Sequence, residues 1–116
     1  MTVHGEDFVA FAEWMLKHGS DIEICYRCTI SRAYYGSFHF TIGYFNLPSG
    51  ISHMGVLRFL EDNGLTHEKS MLSQLRTSRE KADYRLGHNV GKGNASWSIA
   101  LAKKLIDTIK VKPPTT

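Results

Sequence analysis

The sequence predicts an all-α domain, an up-and-down bundle of four or five helices. Large apolar residues recur at spacings of three and four, no segment alternates apolar and polar residues for long enough to make a strand, and the breaks fall at Gly, Pro and Asn-Gly positions.

Phe8, Phe11, Ala12, Met15 and Leu16 recur at helical spacing and predict a first amphipathic helix up to about His18, ended by Gly19. Ser20 with Glu23 has the spacing of a capping box and opens a second helix that runs to about Asn46, with Cys28, Tyr35, Phe38, Ile42 and Phe45 as its buried stripe. Leu47-Pro48-Ser49-Gly50 is a turn by composition. A third helix is expected from about Ser52 to Asp62, stopped by Asn63-Gly64, and a fourth from about Thr66 to Arg85 with Leu72, Leu75 and Ala82 inward. Gly87 to Gly93 reads as a loop. The last helix, from about Asn94 to Ile109, carries Trp97, Ala100, Leu101, Lys104, Leu105 and Thr108 on one face.

A chain of 116 residues with 42% hydrophobic content suits one domain, taken as residues 1–112, followed by a polar tail at 113–116 whose prolines cannot extend a helix. The formal net charge of +3 is a mild basic bias that favours phosphate without requiring it. No apolar run reaches the roughly 18 residues of a membrane span, and the N-terminus lacks the basic start and apolar core of a signal peptide. A cytoplasmic protein without membrane contact is the expectation.

The most informative pair is Arg32 and His39, seven positions apart in the second helix. Seven residues make about two turns, so a permanent cation and a titratable imidazole project from one face. Cleaving RNA without a metal needs a group to take the 2′-hydroxyl proton and one to stabilise charge on the phosphate oxygens. An imidazole with a pKa near 6.5 suits the first task, and a guanidinium fork the second. Such a pair also arises by chance on ordinary helices, so its surroundings matter. Gly36 and Gly43 share its stripe, at offsets of four and eleven from Arg32. Glycine inside a helix costs about 1 kcal/mol relative to alanine, so the two predict close packing of another helix there. Tyr35, next to this stripe, is a candidate for orienting a phosphate or stacking on a base, although such a tyrosine is more often core.

The segment Ile30-Ser31-Arg32-Ala33-Tyr34-Tyr35-Gly36-Ser37-Phe38-His39 resembles the HEPN family, small helical domains whose RNase members carry an Arg, four to six intervening residues and a His. Ser52-His53-Met54-Gly55-Val56 with Phe59, then Leu75, then Arg79-Glu80-Lys81-Ala82-Asp83-Tyr84 and an Ala/Leu-rich last helix follow in the family's order. The resemblance implies a metal-independent endoribonuclease of the toxin or phage-defence type, with Arg32 and His39 catalytic and no cofactor. It also implies a homodimer that gathers both Arg-His pairs in one cleft, with Gly36 and Gly43 at the interface, and a nucleotidyltransferase-type antitoxin as partner. Ala33 departs from the polar residue that often follows the Arg in RNase members, and Thr41 stands where some HEPN toxins carry a modifiable tyrosine. The alternative is a non-catalytic HEPN module that binds a nucleotide or a protein.

Other motifs carry less. Cys25-x-x-Cys28 lacks the second ligand pair of a zinc site and the strand-to-helix context of a redox motif, so no metal is expected. Gly87-His88-Asn89-Val90-Gly91-Lys92-Gly93 has the wrong spacing for a phosphate loop and Gly93 where Ser or Thr is needed, which leaves Lys92, with His88, as a possible contact to an RNA backbone. His53 and the Arg79/Asp83/Tyr84 group are expected to tie the third and fourth helices to the second. Lys103 and Lys104 suit the negative end of the last helix.

Overall fold

The computed structural model describes residues 3–113, which form five helices and no strand: α1 Gly5–His18, α2 Glu23–Tyr44, α3 His53–Asp62, α4 Thr66–Tyr84 and α5 Lys92–Lys110. The predicted all-α bundle is the observed architecture. Residues 114–116 of the predicted tail lie outside the described residues. Among the described residues no helix is long and apolar enough to cross a membrane.

Helix starts follow local chemistry. Ser52 Oγ accepts the Gly55 N–H at 3.0 Å and caps α3. Asn94 Oδ1 accepts the Gly91 N–H at 3.0 Å, so α5 begins two residues before the predicted start. The predicted Ser20–Glu23 box does not form. α2 starts at Glu23 with Ile22 as an N-cap that has no side-chain bond, because the Glu23 carboxylate is taken by Arg27 Nε one turn on, at 2.8 Å.

α2 is the central helix and touches the other four. Of its predicted stripe only Phe45 is fully covered. Cys28 and Tyr35 are exposed, and Phe38 and Ile42 only half-buried; the fully covered residues include Ile30, Ala33, Tyr34, Ser37, Thr41 and Phe45. Hydroxyls can face the core here because each donates to the carbonyl one turn back: Ser37 Oγ to Ala33 O at 2.8 Å, and Thr41 Oγ1 to Ser37 O at 2.9 Å. α5 is likewise rotated from its prediction. It buries Ala95, Ile99, Ala102, Leu105, Ile106 and Ile109, while Trp97, Ala100 and Lys104 face outward. The main core joins Tyr34, Phe45, Val56, Leu60, Leu72, Leu105 and Ile109.

The close approach signalled by the helical glycines is real, but its partner is α1 of the same chain. A Cβ added to Gly36 would stand 2.6 Å from the Gly5 carbonyl oxygen and 2.7 Å from Val9 Cγ2. Gly36 is therefore buried against Gly5 and is not available to a second copy, a correction to its assignment as an interface residue. Gly43 is exposed, with nothing within 4 Å of an added Cβ. The two should respond oppositely. Gly36→Val is expected to lower stability by about 1–3 kcal/mol through overpacking, whereas Gly43→Ala should raise it by up to about 1 kcal/mol through helix propensity. Urea midpoints of both variants check this, and equal midpoints would refute the crossing.

Arg27 is the least expected part of the core. Only 5% exposed, its guanidinium donates to the carbonyls of Lys81 at 3.1 Å, Ala82 at 2.9 Å, Arg85 at 3.4 Å, Leu86 at 3.5 Å and His88. It pairs with Glu23 at 2.7 Å. These acceptors are the end of α4 and the following loop, where a helix leaves carbonyls without intrahelical partners and carries partial negative charge.

Candidate functional site

Arg32, Tyr35 and His39 project from the outer face of α2, on the side where α1 crosses it. All three are exposed, Tyr35 to 40%. The helical rise separates the Arg32 and His39 backbones by about 10 Å, with Tyr35 between them. The Tyr35 and His39 ring centroids are 4.2 Å apart, and Phe8 of α1 meets Tyr35 edge-on at 4.9 Å. The ring of Phe38 stands perpendicular to His39 at 5.3 Å.

Two hollows open on this face. One, of about 440 Å³, is lined by Val3, Asp7, Phe8, Phe11, Arg32 and Tyr35. The other, of about 370 Å³, has His39, Phe40, Ile42, Gly43 and Tyr44 along one wall and residues Val3 to Glu6 along the other. Val3 borders both.

The electrostatics of the pair are simple. Arg32 has no hydrogen bond or ion pair among the described residues, so its guanidinium is available to an anion. Partial burial among the rings lowers the His39 pKa from the usual histidine value by desolvating the charged form. Neither imidazole nitrogen has a hydrogen-bond partner among the described residues. A neutral imidazole with a free nitrogen is a base, and a guanidinium that makes no ion pair can take an anion, even with the Asp7 carboxylate in the lining of its hollow. Both stand on one face of α2, with Tyr35 against the His39 ring and in the lining of the Arg32 hollow.

The structure does not bring Lys92 there. Lys92 opens α5 and lines neither hollow, and the loop before it turns to the other side of α2, where His88 O meets Arg27 and Val90 packs with Ile30. Cys25 is half-buried and Cys28 exposed, both free thiols. Among the described residues no group of three His, Cys, Asp or Glu gathers to hold a metal. A roomier hollow, about 820 Å³ between α1 and α5, contains no imidazole; Leu16, Ile99, Ala100 and Val111 line it beside the Glu13–Lys103 ion pair.

His53 and Asp83 are ties between helices. Tyr34 Oη and His53 Nδ1 share a hydrogen bond at 2.8 Å, joining α2 to α3. Ser31 Oγ donates to Asp83 at 3.2 Å, and Arg79 pairs with Asp83 at 2.8 Å while lying over the Tyr34 ring, joining α2 to α4. Tyr84, although exposed, lays its ring against the same guanidinium, with Arg79 Cζ 5.3 Å from the ring centroid. Burial, with the nearby Arg76 cation adding to it, pushes the His53 imidazole down to about 4. A depressed folded value means that the unfolded chain takes up this proton first, near 6.5, so stability is steady above that pH and falls as pH drops from 6.5 to about 4. The expected loss is about 1–2 kcal/mol once solvent screening of a half-exposed ring is allowed for. Melting curves between pH 7 and 4.5 should show it, with a shallower fall in His53→Gln; an identical fall would remove His53 as the cause.

Phe8, Phe11 and Asp7 were not singled out by sequence, since Phe8 and Phe11 read as the inward face of the first helix. A signal was present: α1 carries apolar residues at 8, 9, 10, 11, 12, 14, 15 and 16, more than one face can bury. Val9 and Ala12 take the core, and Phe11 is left 52% exposed.

Compared with known protein families and with curated proteins, the chain matches none, so the reading rests on these residues and their geometry.

Proposed function

We propose that the protein is a HEPN-type endoribonuclease that cuts RNA without a metal, with Arg32 and His39 as its catalytic residues. The observation that carries this reading is the free guanidinium and the free, neutral-favouring imidazole flanking Tyr35 on one open face. His39 takes the proton from a 2′-hydroxyl, the oxygen attacks the adjacent phosphorus, and the bond to the 5′-oxygen breaks. Arg32 neutralises charge on the non-bridging oxygens. The products are a 2′,3′-cyclic phosphate and a 5′-hydroxyl, the leaving oxygen taking its proton from a second imidazolium.

Two copies of the chain sharing one cleft, the second supplying that imidazolium from its own His39, belong to the same proposal. Gly43, which lines the His39 hollow and has open space over it, suits a close-packed partner there. A concentration-independent monomer mass in light scattering would overturn the pairing. A toxin or phage-defence role, a cytoplasmic setting and a nucleotidyltransferase-type antitoxin belong to the same proposal. The competing reading, a module that binds a nucleotide or a protein without cutting, is favoured by buried Ala33, which places no polar group next to Arg32.

The test is incubation of the purified protein with labelled tRNA and mRNA in EDTA, followed by mapping of the ends. Cyclic phosphate ends made by the wild type and not by His39→Ala support the nuclease. Absence of cleavage by either returns the site to binding alone.

A further inference from the structure

We infer that the hollow between α1 and α2 is a pocket for an unpaired base, so that the RNA taken by this site is single-stranded and presents guanine beside Arg32. The inference rests on the proposed RNA-cutting reading for the course of the strand past His39.

The pocket wall is aromatic and continues outward. Phe8, Phe11 and Tyr35 line the hollow with Arg32 and Asp7. From Phe11 the rings run along α1 to Trp14, stacked at 5.8 Å and 18°, and on to His18, stacked at 5.0 Å and 21°. Phe11 and Trp14 are 52% and 53% exposed, so this strip meets water rather than core. Bases stack on such rings only when they are out of a duplex.

Charge decides the occupant. A protein laid over this face would strip water from Arg32, which has no counter-ion among the described residues. A nucleotide supplies what the hollow lacks: a flat ring for Phe11 and Tyr35, and a phosphate for the guanidinium. Asp7 selects the base. One of its oxygens accepts the His4 N–H at 2.8 Å, and the other has no partner among the described residues. A carboxylate only accepts hydrogen bonds, and guanine offers it two adjacent N–H donors on its pairing edge, whereas uracil offers one between two carbonyls.

Binding is measured apart from cleavage in His39→Ala carrying Trp97→Phe, which leaves Trp14 as the only indole of the two in the chain. The probes are U-rich heptaribonucleotides with a central G, A, C or U, and a duplex containing the same strand. The G heptamer should quench Trp14 and bind about tenfold more tightly than the duplex. Phe11→Ala, an exposed site, should weaken it about fivefold or more. Asp7→Asn, with its fold checked by thermal melting, should bring the ratio of G to U affinity to about one. Equal binding of duplex and single strand, no effect of Phe11→Ala, or no binding by the folded protein overturns the pocket. His39-dependent cleavage indifferent to Phe11 would sink the pocket and leave the nuclease; G-selective binding with no cleavage by wild type would do the reverse.

Discussion

Arg27→Met is expected to lose about 3–4 kcal/mol of folding stability, a large share of the roughly 5–15 kcal/mol a domain possesses. Methionine matches the length and apolar surface of the arginine stem, so the loss isolates the guanidinium. Without it the carbonyls of Lys81, Ala82, Arg85, Leu86 and His88 lose a charged donor in a place water does not readily reach. Glu23 is not stranded, because its side chain is 43% exposed and stays solvated. Arg27→Lys should recover little, since one ammonium cannot span acceptors spread over eight residues of chain. Urea unfolding measures both; a midpoint for Arg27→Met within the error of wild type would show that the clamp is ornamental.

His39→Ala should reduce RNA cleavage by about 10²–10⁴-fold, the usual contribution of a positioned base, with no change in melting temperature, because the ring lies at the surface. Arg32→Ala should fall by about 10²–10³-fold for loss of charge stabilisation. The pH dependence gives a sharper criterion. Burial lowers the His39 pKa, so the base form persists to lower pH and the acid limb of kcat/KM should have its midpoint below 6.5. A limb at or above 6.5 would assign the proton transfer to another group.

Helix number and order were legible because 3.6-residue periodicity survives wherever large apolar residues face a core. What was not legible came from polar residues doing apolar work. Ser37 and Thr41 hide their hydroxyls on α2's own carbonyls, so the inward face of α2 looks polar in sequence, and the eye shifts to Cys28 and Tyr35. Arg27 lies inside the Cys25-x-x-Cys28 segment, and nothing local says that carbonyls more than fifty residues away will surround it. Of the two stripe glycines Gly36 marks a close backbone and Gly43 does not, and periodicity cannot say whose backbone it is. At the site, spacing placed Arg32 and His39 on one face, while the wall contributed by Asp7, Phe8 and Phe11 depended on how α1 is rotated, which only packing fixes.

Because α2 is flanked by α1 and by α5, the order of synthesis matters. α1 and α2 are made early, yet Ile106 and Ile109, which complete the core beneath α2, arrive only with the last of the five helices. A nascent chain stopped before α5 keeps part of that core open to water, and domains fold as units. The face bearing Arg32 and His39 thus rests on a core that closes only once α5 has emerged, which separates the making of that face from the completion of its support.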